Sequence, residues 1–528
     1  MMYFVPSWYH GNEYKENEQY WYRRRTVTEF DDSVKQVQMF NRNNIMDYKI
    51  LNLSYCPNFR HFLHRQSVFH APYWSCFDAI QEIRRTKVDI LSYRDLMWPD
   101  YTEFVYTPFC IVAYVHNEKY AEIHFGEDGN MIEVFLFQSE VMVRKNIYDD
   151  RGFLSTTIVY ENNQPVYEQY LDEKGNWKLL HFFEDDHIEI NSENPYYLIG
   201  NKRFTFQSLN YDSIESLIEE VFSTYLDEMT DSTDIFCLAM HTLHHDLLES
   251  LFTQRKTILS FYQNRMDLFE DAELKSLIRS TNYCIVDSKH KIRPLEKYAE
   301  KTLPIVDITP FDTRADFGIS QQLTVQNILV PIDSIEQSKL EALIVLFAKY
   351  FETNETARVH FFTRNANWDR VDSVLNFTRE VLKANGLDER LARKETNDKA
   401  EFDLDEDEKV PIKFFVDQCV DELSISKCMR EQRIMVDVTS RPDLYLQISC
   451  ISSAIPQIVS FRTQYVHNGK NGFIVKEVSE VLNGLKYYLD NITNWNKCVI
   501  YSYELGKEYN TASLIRKWKG VMKQVEQD

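Results

Sequence analysis

Between residues 101 and 205 apolar positions alternate with polar ones or gather into short β-branched and aromatic runs. FVYTPFCIVAYV, MIEVFLF, STTIVY and KLLHFF are such runs, divided by turn residues. That period predicts antiparallel strands. Three turns share a spacing: Asp128-Gly129-Asn130, Asp150-Arg151-Gly152 and Glu173-Lys174-Gly175 put glycines 23 residues apart. Such a period holds two strands and two turns, so the segment predicts a β-meander.

The flanking chain has a different texture. Residues 1–100 mix apolar runs (48–53) with helical spacing (73–83). Helical spacing returns over 212–226 and 247–262, around an apolar strand at 235–240. Beyond 300, strands at 328–332, 359–362, 434–438 and 455–461 alternate with amphipathic helices such as 339–350. Strand–helix alternation predicts parallel sheets covered on both faces. The expected architecture is α/β: residues 1–100 and 206–300 form a first Rossmann-like lobe interrupted by the meander at 101–205. Residues 301–505 form a second Rossmann-like lobe. Residues 506–528 form a basic helix around Trp518. Two roles fit that helix: packing back on the first lobe, or peripheral contact with an anionic membrane surface.

Composition narrows the function. Only 13 of 528 residues are glycine, against a usual ~7%. Backbone amides approach a phosphate closely where glycine allows it, so phosphate cradles are not expected. A net charge of −22 excludes the basic footprint of nucleic-acid binding. The nine cysteines include no C-x-x-C pair, which points to reduced thiols and neither a disulfide framework nor a zinc site. MMYFVPSWYHG lacks the basic start of a signal peptide, and the apolar run 342–348 is too short to span a bilayer. A cytoplasmic protein is expected. The acidic run Glu401–Glu408 reads as a solvated loop.

The stretch Arg441 to Val475 carries a resemblance. Ser453-Ala454-Ile455-Pro456 supplies a small-residue turn before a strand, and Gly469-Lys470-Asn471-Gly472-Phe473-Ile474-Val475 closes the segment. This pattern resembles the second lobe of retaining glycosyltransferases of the B fold. In that family two glutamates separated by seven residues grip the donor. Counted back from Pro456, their places fall at Arg441 and Ser449. Neither is a carboxylate. The family's diphosphate-binding arginine falls on an apolar or acidic position near Asp333, with Lys339 a surviving cation. The resemblance therefore implies a GT-B-like fold whose donor site is degenerate, and no catalytic residues. The alternative is an active retaining glycosyltransferase. A carbohydrate-binding module without a transport role is a third reading.

A wider likeness covers most of the chain. Pro6–Tyr9 (PSWY), residues 30–34 (FDDSV), residues 73–79 (YWSCFDA), the meander and the degenerate second lobe together resemble the accessory secretory protein one family of the accessory Sec system. The resemblance implies a complex with accessory secretory proteins two and three. It also implies service to the accessory SecA motor in exporting a glycosylated serine-rich-repeat adhesin preprotein, with its glycan as a further contact.

Other clusters carry less. His241, His244 and His245 follow the 235–240 strand, and His241 and His245 share a helix face. Thr242 stands where a zinc-protease motif has Glu, so no metal is expected; these are cleft or structural histidines. No P-loop, dinucleotide fingerprint or nucleophile elbow occurs, and no cofactor is expected. In the meander Tyr160, Tyr167 and Tyr170, with Glu161 and Glu168 beside them, form a candidate acceptor surface. Aromatic and carboxylate groups suit an extended hydroxyl-rich polypeptide; inward packing or contact with a partner protein is the other reading.

Overall fold

The computed structural model describes residues 1–527 apart from 16–19, 21, 23–29, 264, 266–274, 276–277, 280, 300–302 and 394–409, and apart from the side chains of 245, 246 and 248. The acidic run Glu401–Glu408 lies outside the described residues.

Three large sheets organise the chain. The first is seven-stranded, parallel throughout, and built from two distant stretches. In space it runs Ile305–Asp307, Tyr283–Val286, Lys256–Phe261, Ile235–Ala239, Met2–Val5, Tyr48–Asn52, Tyr73–Ser75. Met2–Val5 pairs with Ile235–Ala239, joining chain segments more than 200 residues apart. Both strands are buried along their whole length, as expected where helices cover both faces. The second sheet has ten antiparallel strands, from Thr102–Tyr106 at one edge to Asn210–Tyr211 at the other. The third is six-stranded and parallel, with Gln326–Pro331 and Gln432–Asp437 at its centre. The architecture is GT-B-like.

Five helices carry residues of the site: α1 (Asp32–Asn43) in the first lobe, α2 (Gln337–Phe351), α3 (Glu422–Glu431) and α4 (Leu444–Ser453) in the second, and α5 (Thr511–Gln527), which packs on the first. Three details depart from the sequence-based expectation. Residues 247–262 are not one helix: His245–Phe252 is helical and Lys256–Phe261 is a central strand. The β-branched pair Thr257 and Ile258 sits fully inside the sheet, and that packing outweighs helical spacing. Residues 73–83 divide likewise into the strand Tyr73–Ser75 and the helix Cys76–Ile80, which starts where Ser75 accepts the Asp78 N–H. At the far boundary the meander sheet reaches Asn210–Tyr211, past 205. The hairpin Tyr196–Ile199/Lys202–Thr205 leaves it to join the first-lobe core through Tyr197 and Ile199.

The repeated glycines do mark turns. Gly129, Gly152 and Gly175 have φ of 79°, 89° and 86°, a region open to glycine. Gly152 carries a second constraint, because a Cβ there would lie 1.7 Å from the Asp89 carbonyl oxygen. Buried ion pairs clamp the meander to the first lobe nearby. Arg151 binds Asp149 and Asp78, each at 2.7 Å. Lys178 reaches Glu82 at 2.8 Å, and Lys15 reaches Glu168 at 2.6 Å. Removing one partner from such a pair leaves a charge in low dielectric and is costly.

Helix α5 returns to the first lobe. Trp518 is 1% exposed and packs edge-on to Phe40 with ring centroids 5.2 Å apart. Leu514, Val521, Met522 and Val525 join the same core, while Arg516, Lys519 and Lys523 face outward. Trp518→Ala should therefore destabilise the first lobe by about 3–5 kcal/mol. Denaturant unfolding followed by far-UV circular dichroism should show this loss; an unchanged midpoint would contradict the packing.

Candidate functional site

In open parallel sheets, ligand crevices lie beyond the carboxyl ends of the strands, where the strand order reverses. In the second lobe that point lies between Gln326–Pro331 and Gln432–Asp437. Side chains at this point pair with one another. Asp333 accepts from the Thr363 hydroxyl at 2.5 Å and the Arg364 N–H at 2.7 Å. Arg364 Nε donates to Asp443 Oδ2 at 2.8 Å. Asp443 Oδ1 caps α4 by accepting the Leu446 N–H at 3.2 Å.

Phe30, placed by the first lobe just ahead of α1, covers this ion pair. Its ring centroid lies 4.0 Å from the Arg364 guanidinium carbon. It meets Tyr445 of α4 edge-on at 4.9 Å, and Tyr445 meets Phe311 at the same separation. The Phe30 carbonyl accepts from the Tyr262 hydroxyl at 2.6 Å. A cation over an aromatic face contributes about 0.5–2 kcal/mol, more when desolvated. Below it Tyr262, Phe311, Leu444, Ile448 and Tyr465 belong to one buried cluster drawn from both lobes. Polar bridges complete the closure. Tyr465 donates to the Asp287 carbonyl at 2.7 Å, and Ser288 donates to Gln464 Oε1 at 3.0 Å. Lys35 of α1 meets Glu422 of α3 at 2.6 Å.

Buried acids line both sides. Asp437 is pushed up to about 6 by burial, against the pull of the Thr439 N–H and hydroxyl at 3.0 and 2.6 Å. Asp31 is also pushed up to about 6, by burial and by the adjacent Asp32, while Arg265 opposes the rise. The Arg265 guanidinium spans both acids, at 3.2 Å from Asp31 and 2.7 Å from Asp32.

The sequence-derived residues separate in this geometry. Arg441 is exposed in the turn before α4. Ser449 lies on α4 and lines a cavity of about 720 Å³ between α1, α3, α4 and the 310–316 linker. Lys339, in the first turn of α2, is paired to Glu336 at 3.1 Å. His244 is fully buried. Its Nδ1–H donates to the Ala239 carbonyl at 2.6 Å, so Nε2 accepts from the Tyr9 hydroxyl at 2.6 Å. Burial pushes it down to about 3, which makes it a neutral structural residue. His241 is half-buried and its Nδ1 accepts the Leu243 N–H at 3.2 Å. The His245 side chain lies outside the described set. Among the described residues no group of three His, Cys, Asp or Glu could hold a metal ion.

The three meander tyrosines do not form one surface. Strand alternation puts Glu168 and Tyr170 on the face toward the first lobe, and Tyr167 on the opposite face. Tyr170 is 1% exposed, packed on Tyr55 at 5.2 Å and Phe77 at 5.5 Å. Glu168 is fully buried with Lys15. Tyr170 and Glu168 are therefore core groups that fasten the meander. Tyr160 and Tyr167 are half-buried. Sequence reasoning missed Phe30, Arg364 and Asp443. Asp443 had a signal, an acid just before an apolar helical run; the aromatic cover from the other lobe had none.

Asp437 gives a pH test. Its folded value of about 6 exceeds the ordinary 3.8, so its contribution to stability is fully present below about pH 4 and is lost as pH rises toward 6. Asp437→Asn removes that titration. Relative to the unsubstituted chain the variant should gain about 1–3 kcal/mol between pH 4 and pH 7. Paired urea melts at both pH values measure this, and a constant difference would contradict it.

Comparison with known proteins accords with this geometry. An accessory Sec system protein from Streptococcus gordonii, the first of its set, is 31% identical over 99% of both chains. A chain of the crystal structure of accessory secretory protein 1, 2 and 3 in Streptococcus pneumoniae matches with a TM-score of 0.78, 27% identity and full coverage of both. The pneumococcal O-GlcNAc transferase GtfA, in complex with UDP and GlcNAc, matches at TM-score 0.69 with 12% identity over nearly all of both chains. That last likeness is one of fold, the glycosyltransferase-B fold. The sequence model of one family, accessory Sec system protein one, matches residues 1–525. The chain belongs to the family of accessory Sec system protein one.

Proposed function

We propose that the chain is a non-catalytic assembly component of the accessory Sec system. It binds accessory secretory proteins two and three and works with the accessory SecA motor on a glycosylated serine-rich-repeat adhesin preprotein. One observation carries the non-catalytic part. At the strand-order reversal of the second lobe Arg364 is engaged on three sides, by Asp333 through its N–H, by Asp443 through Nε and by the ring of Phe30. A diphosphate needs an unshared cation there, and Arg364 is already shared with Asp443 and the Phe30 ring. A carboxylate beside that cation would repel the phosphates. The donor-gripping positions 441 and 449 hold Arg and Ser. A transferase binds charge that develops in its transition state with preorganised groups, and these groups are committed to one another.

The partner part rests on family membership and on the likeness to a chain of the crystal structure of accessory secretory protein 1, 2 and 3 in Streptococcus pneumoniae. The meander supplies a surface for an extended polypeptide. Among the described residues Thr102–Tyr106 pairs with a strand on one side only, and Val105, Tyr106 and Phe109 stand exposed on and beside it. An extended segment can add to such an edge by backbone hydrogen bonding. No described helix is long and apolar enough to cross a membrane, so the proposal places the chain in the cytoplasm, with any contact to the inner membrane face made through α5.

The test pairs turnover with assembly. Purified chain, given UDP-GlcNAc and an unglycosylated serine-rich segment, should release UDP no faster than the protein-free control. It should copurify with accessory secretory proteins two and three when the three are coexpressed. UDP release that Arg364→Ala abolishes would establish the rival reading, an active retaining glycosyltransferase. Failure to copurify would remove the assembly role.

A further inference from the structure

Two cysteines of the second lobe meet where the strand Phe414–Gln418 hands over to α3. Cys419 continues that strand. Its N–H donates to the Thr363 carbonyl at 2.9 Å, in step with the pairing of Phe414–Gln418 to Ala357–Thr363. Side chains two residues apart on a strand share a face, so Cys419 lies on the face of Asp417. Cys428, on α3, covers that face. Its thiol donates to Asp417 Oδ2 at 3.4 Å, and it also shares a hydrogen bond with Cys419. Cys419 belongs to the core of the second lobe, and Cys428 packs against the same core. Cys419 is 5% exposed and Cys428 is half-buried; both are free thiols.

The surroundings give the two sulfurs different roles. Its hydrogen bond with Cys428 pulls the Cys419 thiol down, against the effect of burial. The same bond, together with burial and the Asp417 charge, pushes the Cys428 thiol up. Cys419 is therefore the thiolate side of the pair, and the thiolate is the nucleophile. Cys428 keeps its proton, with Asp417 placed to take it. His360 Nδ1 holds that same carboxylate oxygen at 2.8 Å, and the Gln432 amide donates to Cys428 Sγ at 3.6 Å. A low-lying thiol beside a second, resolving thiol is the arrangement of a redox-responsive pair.

We infer that Cys419 and Cys428 form a reversible disulfide on contact with hydrogen peroxide, a modification that ties α3 to the edge strand of the second-lobe sheet. The Cys419 thiolate attacks one peroxide oxygen. The S–O bond forms, the O–O bond breaks, and the hydroxide that leaves takes up the proton Cys419 gave up, as water. The Cys428 sulfur then attacks the Cys419 sulfur; the S–S bond forms and the S–O bond breaks. The Cys428 proton passes through Asp417 to the departing hydroxide, giving a second water. Two thiols lose two electrons and one peroxide gains them. Helix α3 carries Glu422, the partner of Lys35 in the first lobe, so oxidation stiffens the second-lobe end of an interlobe bridge. The inference stands apart from the proposed function.

The test adds a few molar equivalents of hydrogen peroxide to the reduced full chain, then counts thiols after unfolding and records the intact mass. The expected result is a loss of two thiols from the nine, a mass lower by two hydrogens, and recovery of both with dithiothreitol. Trypsin cuts after Lys413, Lys427 and Arg430, so the disulfide joins peptide 414–427 to peptide 428–430. Amide hydrogen exchange over 419–431 should slow in the oxidised chain. Cys428→Ser should prevent the disulfide and leave a Cys419 sulfenic acid that dimedone traps; Cys419→Ser should prevent both. Circular dichroism establishes that each variant is folded; should one not fold, the joined peptide of the unsubstituted chain decides. Retention of all thiols, oxidation without the joined peptide, linkage of either residue to another cysteine, or no dimedone adduct in folded Cys428→Ser would overturn the inference and leave the proposed function standing.

Discussion

Arg364 is where the second-lobe sheet, helix α4 and the first lobe meet. Its guanidinium is held by Asp443 at 2.8 Å and roofed by Phe30 at 4.0 Å, and its own N–H is anchored to Asp333. Each contact fixes a different element. Asp443 begins α4, Asp333 follows the first strand of the second lobe, and Phe30 belongs to the first lobe. One half-buried cation therefore joins the sheet, the helix and the opposite lobe. Taking away any partner would leave charge or ring surface without its counterpart in a region of reduced dielectric. The interlobe cluster around Tyr262 and Tyr465 packs beneath this contact and draws the lobes into one body.

The meander is attached by different physics. Its link to the first lobe runs through buried ion pairs of Lys15, Arg151 and Lys178 and through Gly152, where backbone approaches backbone too closely for a side chain. Such joints hold orientation more than they add net stability.

Much of this was legible in the sequence because it is local. The 23-residue glycine spacing marks turns with positive φ, and continuous apolar runs such as Ile235–Ala239 mark buried parallel strands. The features that could not be read depend on contacts between distant segments. Lys256–Phe261 has spacing compatible with a helix, and only its neighbours in the sheet make it a strand. Tyr170 and Glu168 looked like a surface pair, yet the sheet turns their face onto the first lobe. Phe30 carries no local mark of its role, since its partners lie more than 300 residues away.

The most direct test of the closed cleft is amide hydrogen exchange across residues 438–446, with and without UDP. These amides border the Arg364–Asp443 contact, and local opening sets their exchange. A cleft closed by Arg364 predicts slow exchange in the free chain, no change on adding UDP, and faster exchange in Phe30→Ala. Fast exchange in the free chain that UDP slows would show an open donor site and contradict it.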